Sequence, residues 1–176
     1  MFRRSALCGC VAVYFLVAMV PLTKAQESAM IRAVATVLPS MTIIGTNNLD
    51  FDYVLPDVRK SVEKTSIGHA GEWIITGNPL AEITLKFELP DSLRSVRGSS
   101  AMKIGFSIAD ASYDDGYGAG QTAPAGVLNP YAVSTRNLGW DGSMVVWMGG
   151  TVFPTRTQTG GTYTGEIILT ATYTGN

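Results

Sequence analysis

The chain has few cysteines and almost no histidine, and both shortages limit its chemistry. Its only cysteines are Cys8 and Cys10, and its single histidine is His69. A zinc site needs several Cys or His ligands, which the rest of the chain does not supply. The Gly-x-Ser-x-Gly turn that presents a hydrolytic serine is also missing. We therefore expect no enzymatic activity and no cofactor.

Both cysteines lie in a leader. Arg3 and Arg4 precede an apolar run over residues 6–20, and Thr23-Lys24-Ala25 follows. A basic start, a short apolar run and small residues before the cut are typical of a secretory signal peptide, here cleaved after Ala25. We predict an exported protein, secreted or held at a bacterial surface or in the periplasm. Residues 26–176 then form one domain without cysteine and without a transmembrane segment.

Basic residues are also scarce. Removal of Arg3, Arg4 and Lys24 leaves ten basic against fourteen acidic residues, a net charge of −4. Nucleic acids and anionic membrane surfaces attract basic patches. The balance therefore argues against both as partners.

Alternation of apolar and polar residues dominates what remains, and helix signals are nearly absent. In the clearest case, from Ile83 to Leu89, apolar residues alternate with Thr84, Lys86 and Glu88. This pattern is typical of an antiparallel strand with one wet face. Further strands are predicted at residues 33–37, 41–44, 58–65, 73–76, 102–109, 144–148 and 151–153. We predict an all-β fold, a single antiparallel β-sandwich of Ig-like or pilin-like type with about eight or nine strands.

The C-terminal stretch predicts one uninterrupted strand that runs almost to the end of the chain. A glycine-marked turn at 160–161 precedes it. A strand that ends a chain either pairs within its own domain or is offered to a partner, because an open edge invites association. Period-two spacing places five of its residues on one face: Tyr163, Ile167, Leu169, Ala171 and Tyr173.

The longest segment without a strand signal runs from Asp110 to Asn137. A loop of this length is usually functional or mobile. Its Tyr113, Tyr117 and Tyr131 are candidates for stacking on a sugar or for packing against a partner. Anchoring of the loop to its own sandwich is the alternative interpretation.

The same segment contains clustered carboxylates. Asp110, Asp114 and Asp115 are followed by Gly116, and calcium takes clustered loop oxygens. The spacing does not match an EF-hand, and acidic residues in glycine-rich loops are usually solvated turn formers. We expect no bound metal, and these three aspartates are the calcium candidates.

Five stretches resemble the bacterial domain of unknown function family 4402, in matching order and spacing. They are Ala-Val-Ala-Thr-Val at 33–37, Ile-Gly-Thr-Asn-Asn-Leu-Asp-Phe at 44–51, Gly-Glu-Trp at 71–73, Gly-Gly-Thr-Val at 149–152, and the closing segment 161–176. The two ends of the chain also resemble the spore coat protein U family and the archaic chaperone–usher pilins. Those proteins share a leader, an early Leu-x-Phe segment and a Gly-x-Tyr turn into a terminal strand.

The second resemblance implies assembly by strand exchange. In such pilins the sandwich lacks one strand, and the N-terminal extension of the next subunit fills the groove by β-strand addition. The resemblance makes residues 26–38 a donor extension, with Ile31, Ala33, Ala35 and Val37 as donor-strand candidates. The terminal strand would border the acceptor groove. The expected partners are other copies or related subunits, with a periplasmic chaperone as a further candidate.

Three functions remain open at this point. The favoured one is an exported, fimbria-like structural subunit of a surface fibre or coat. The second is a self-contained secreted sandwich that binds carbohydrate or protein through the loop 110–137. The third is a secreted hydrolase that uses paired carboxylates.

Overall fold

The computed structural model describes residues 29–35, 37 and 40–175. The predicted signal peptide, residues 1–25, lies outside the described residues. The chain divides into two units, Met1–Thr36 and Val37–Asn176. In the first unit, the described residues 29–35 form no strand. None of the described residues belongs to a helix long and apolar enough to cross a membrane.

The second unit is all-β and antiparallel, which confirms the predicted fold class. Its described strands are β1 Thr42–Asn47, β2 Lys60–Val62, β3 Gly71–Thr76, β4 Glu82–Glu88, β5 Ser92–Ser95, β6 Ala101–Gly105, β7 Ala111–Asp114, β8 Gly126–Leu128, β9 Ser134–Asn137, β10 Ser143–Met148, β11 Gly150–Phe153, β12 Tyr163–Thr164 and β13 Ile168–Tyr173. The first sheet has the order β1-β3-β10-β7-β8, the second β12-β5-β6-β11-β2, and the third β13-β4-β9.

The first and third sheets share the larger core. Alternation in β4 sends Ile83, Leu85 and Phe87 inward, where they meet Met144 and Val146 of β10. Full burial of an aliphatic or aromatic side chain is worth about 1.5–3 kcal/mol. The alternation of apolar and polar residues in β4 therefore determines which face of the third sheet packs against the first sheet.

The second sheet has a smaller core of its own. Val62, Met102, Ile104 and Val152 are buried in it together with Phe51 and Ala70. The chain passes from the first sheet to the second at Gly149, between β10 and β11. A side chain there would stand 2.4 Å from the Val62 carbonyl oxygen, so the crossing requires glycine.

Two regions without a predicted strand contain short strands. The region 110–137 includes β7, β8 and β9, and the region 92–100 begins with β5. These strands are only three or four residues long. Their serine, threonine and asparagine residues hide the alternation that identifies longer strands. Thirteen strands consequently lie among the described residues, where the sequence predicts about eight or nine.

The predicted uninterrupted terminal strand is wrong. Tyr163 and Thr164 form β12, which pairs with β5 in the second sheet, whereas β13 begins at Ile168 and pairs with β4 in the third. At the crossing, a side chain on Gly165 would meet Leu93 Cδ2 at 2.8 Å. Tyr163 therefore belongs to the smaller core and not to the face that carries Leu169.

A side-chain hydrogen bond joins the end of β13 to the turn after β3, and its loss should be measurable. Asn78 N donates to the Tyr173 hydroxyl at 2.8 Å. We expect Tyr173→Phe to lower the free energy of unfolding by about 1 kcal/mol, because a partly buried N–H loses its acceptor. Urea denaturation measures this change. Tyr53→Phe is the control, since Tyr53 is 96% exposed. Equal stability of the two variants would contradict the prediction.

Candidate functional site

Two of the strands that end a sheet, β1 and β13, leave one edge unpaired. β1 ends the first sheet and pairs only with β3, and β13 ends the third sheet and pairs only with β4, among the described strands. Each edge presents a row of backbone N–H and C=O groups that can template another strand.

These two edges lie on the same side of the sandwich. Arg136 in β9 stacks over the Tyr113 ring of β7 at 5.1 Å, so β9 lies over β7. At the other edge of the third sheet, the Tyr173 hydroxyl of β13 accepts from Asn78, just after β3. Since β1 is the outer neighbour of β3, the free edges of β1 and β13 border one opening. We call this opening the open side.

A groove of about 1060 Å³ lies beside β1. It lies between the second half of β1 and the residues just before β13. Its apolar lining comes from both cores and includes Leu49, Trp73, Leu93, Met102, Ile104 and Ile167. Leu49, Trp73, Leu93 and Ile167 are only partly buried, so the groove leaves part of both cores uncovered.

Trp73 connects the groove to the larger core. Its ring meets Phe87 of β4 edge to face, with 6.2 Å between ring centroids. It also lines the groove and is only half-buried. Strand position alone predicts that Trp73 packs in a core, and does not reveal that one side of the ring is uncovered.

The inward face of β13 is incompletely covered. Ile167, Leu169, Ala171 and Tyr173 all contact the larger core. Only Leu169 among them is buried, whereas the inward residues of the neighbouring strand β4 are buried throughout. Burial therefore falls from β4 to the open side, as expected at the edge of a sheet.

The donor-strand candidates are exposed. Ile31 and Val37 are each 91% exposed, and Ala33 and Ala35 are exposed too. On the alternate positions, Val34 is 80% exposed. Full burial of a large apolar side chain contributes about 1.5–3 kcal/mol of stabilisation. Binding of this segment to an apolar surface would therefore be favourable. Its role as a donor stays a prediction.

The three loop tyrosines are not together on one loop. Tyr113 lies within β7, half-buried beneath Arg136. Tyr131 is exposed, and its hydroxyl donates to the Phe106 carbonyl oxygen at 2.9 Å. Tyr117 is 75% exposed and lies in the loop after β7, whereas Tyr131 lies after β8. The anchoring interpretation fits Tyr113 and Tyr131, and only Tyr117 is left free for a partner.

The calcium candidates accept hydrogen bonds from the chain. Asp114 accepts backbone N–H bonds from Gly116, Gly118 and Gly120 at 2.8–2.9 Å. Asp110 accepts from the N–H and the hydroxyl of Ser107. Within the described part of the chain, no three His, Cys, Asp or Glu side chains cluster closely enough to hold a metal ion.

The glycine loop holds Asp114 in its ionised form. Burial alone would raise the pKa of this carboxyl group, but the bonds from Gly118, Gly120 and Gly116 outweigh it and lower the pKa below its ordinary value. A carboxylate with three backbone donors organises the loop, which gives Asp114 a structural role.

Trp140 and Leu80 are exposed, although a tryptophan beside a strand is expected to lie in the core or on a sheet face. Trp140 is 71% exposed and Leu80 is 57% exposed. Trp140 follows Gly139, in the turn closed by the bond from Gly142 N to Gly139 O. Gly139 and Gly142 mark this turn in the sequence, and the residues between the two glycines of such a turn point outward.

Comparisons with protein-family models and with curated proteins find no match to this chain. The resemblance to domain family 4402 and to the archaic pilins therefore stays a prediction.

Asp114→Asn should destabilise the fold by about 2 kcal/mol at pH 7. The amide nitrogen would point at the Gly120 N–H, and the charge that serves three donors would be lost. Chemical denaturation measures the change. Asp115→Asn is the matched control, because Asp115 accepts only a 3.4 Å contact from Tyr117. A similar loss in both variants would contradict this role.

The pH dependence of this difference has a defined sign. Because the folded-state pKa of Asp114 is lowered, its contribution is complete above the unfolded value of about 3.9. It is lost as the pH falls through the folded-state pKa. The stability gap between the wild-type protein and Asp114→Asn should therefore narrow below about pH 4. A constant gap down to pH 2 would contradict the assignment.

Proposed function

We propose that the protein is an exported structural subunit of a surface fibre or coat that assembles by β-strand exchange. One observation carries the proposal: β1 and β13 each leave an edge unpaired on the same side, where a groove beside β1 reaches side chains of both cores. The leader pattern at residues 1–25 supports export. The function is non-enzymatic, and the partner is a second copy or a related subunit.

The acceptor would be the edge of β13. An added strand there extends the third sheet and sends alternate side chains toward the larger core. β1 runs in the opposite direction, because its first residue, Thr42, pairs with Thr76 at the end where β13 finishes. A strand seated between them is therefore antiparallel to one edge and parallel to the other, and both arrangements form ladders.

The donor would be the N-terminal segment of another copy. Residues 31–37 span about 23 Å when extended, and the six residues of β13 span about 20 Å. The lengths match. Ile31, Ala33, Ala35 and Val37 would face the core, and the alternate positions would face solvent.

Substitutions on the two faces of the donor test the proposal. We expect Ala35→Asp to abolish polymers of residues 26–176, because a carboxylate would enter the apolar core. Val34→Asp is the matched control, with the same new charge one residue away on the solvent face. Size-exclusion chromatography with light scattering reads out the assembly.

An excess of the free peptide 29–37 should occupy the acceptor and shorten the polymers of the unsubstituted protein. Two outcomes would overturn strand exchange. One is a wild-type protein that remains a stable monomer at every concentration, and the other is equal assembly of the Ala35→Asp and Val34→Asp variants.

A further inference from the structure

One end of the second unit exposes three large apolar side chains on neighbouring loops. Tyr117, Trp140 and Leu80 are 75%, 71% and 57% exposed. Asp115 and Asp141 lie beside them in sequence, so the surface is acidic as well as apolar. We call these five residues the acidic end. Trp and Tyr are the residues most enriched at interface hot spots.

Short backbone contacts hold these loops together. Leu80 N donates to Gly139 O at 3.1 Å, and Gly77 N donates to Gly142 O at 2.8 Å. A side chain on Gly139 would stand 2.4 Å from the carbonyl oxygen of Asp115. The exposed side chains therefore rise from an ordered backbone, which reduces the entropy lost when a partner binds.

Leu80 adds a second, independent observation. Its φ is +59°, in the left-handed region that a leucine adopts at a cost of about 1 kcal/mol. The bonds at Leu80 N and to Leu80 O from the Asn137 amide hold it there. The fold thus holds Leu80 in a strained backbone conformation in which its apolar side chain is exposed to solvent.

The complementary surface lies at the far end of the β10–β11 segment. Trp140 and Asp141 come just before β10, and β11 ends at Phe153, whose partner in β6 is Lys103. The ten strand residues of β10 and β11 lie between the two surfaces along the chain. Lys103 lies over the Phe153 ring at 5.7 Å, and Arg94 and Arg97 are exposed nearby on β5 and the turn after it.

Arg94, Arg97, Lys103, Val96 and Phe153 form what we call the basic end. Among the described residues, none of its three cations is in an ion pair. Val96 is 61% exposed and Phe153 39%. The surface thus combines free positive charge with apolar area, as the acidic end does with negative charge.

We propose that the acidic end of one copy docks on the basic end of the next, in a head-to-tail contact. Carboxylates meet arginine and lysine there, and the cations also reach the faces of Trp140 and Tyr117. Because the two surfaces differ, the contact is heterologous and adds subunits head to tail, in an open filament or a closed ring. The inference deepens the proposed function by orienting the subunits, but docking does not need strand exchange.

A second copy fits this surface better than a glycan does. Sugar rings stack on Trp and Tyr, but an exposed leucine held in strain offers a glycan little. The unpaired cations of the same chain supply the opposite charge that the carboxylates lack. A protein surface uses all five residues of the acidic end.

The test separates docking from strand exchange by using the Ala35→Asp variant, which cannot donate its strand under the proposed function. We expect this variant to self-associate weakly in sedimentation velocity runs. Association should weaken from about 0.1 M to about 1 M NaCl, as the Debye length falls from about 10 Å to about 3 Å. Trp140→Ala, added to it, should raise the dissociation constant about tenfold or more.

A charge swap between the acidic end and the basic end is the more specific test of the docking contact. In the same background, Asp115→Lys and Lys103→Glu should each weaken association, and the two together in one chain should restore part of it. Lys86→Glu is the matched control, because it makes the same charge change on the outer face of the third sheet.

Several results would overturn the docking contact. The first is an Ala35→Asp variant that stays monomeric at all concentrations. The second is self-association that neither Trp140→Ala nor salt weakens. The third is weaker association of the Asp115→Lys/Lys103→Glu double variant than of either single variant. Glycan-array binding that is lost in Trp140→Ala, with self-association unchanged, would assign the surface to carbohydrate instead. If the Ala35→Asp variant still polymerises like the wild type, the strand-exchange proposal is wrong. The salt, Trp140→Ala and charge-swap experiments still test the docking contact in that case.

Discussion

The need to satisfy backbone hydrogen bonds at a sheet edge is the constraint on which the rest of this protein depends. Alternate residues of an edge strand present unpaired N–H and C=O groups, and β1 and β13 leave theirs on the same side. Water can satisfy these groups, but it cannot cover the apolar side chains beside them. A strand satisfies both needs at once, which is why the proposed function is assembly rather than ligand binding.

Close backbone approaches place the loops around this frame. Gly149 lets the chain cross between sheets, Gly165 lets it leave β12 for β13, and Gly139 lets the end loops touch. Asp114 gathers a fourth loop with three backbone bonds. Because side chains cannot fit at these points, the loops are fixed relative to the cores. The proposed docking surface depends on that order.

The fold class was readable from the sequence, and the topology was not. β4 shows why the first succeeds, since seven residues of clean alternation can only be a half-wet strand. The terminal segment shows why the second fails. Tyr163 and Leu169 fit one period-two pattern, yet they belong to different sheets, because the pattern records the face of a residue and not its partner strand. The short strands β7, β8 and β9 gave too few residues for any period.

The sequence by itself determined the all-β class, the alternation of the long strands, the acidic balance and the scarcity of metal and nucleophile ligands. Those properties follow from local spacing and composition. Tertiary structure alone decided that two free edges share one side, that Trp73 keeps one face uncovered and that Trp140 and Leu80 stand together. These are relations between residues far apart in the chain, and a pairing register between distant strands is fixed by packing, which no local pattern encodes.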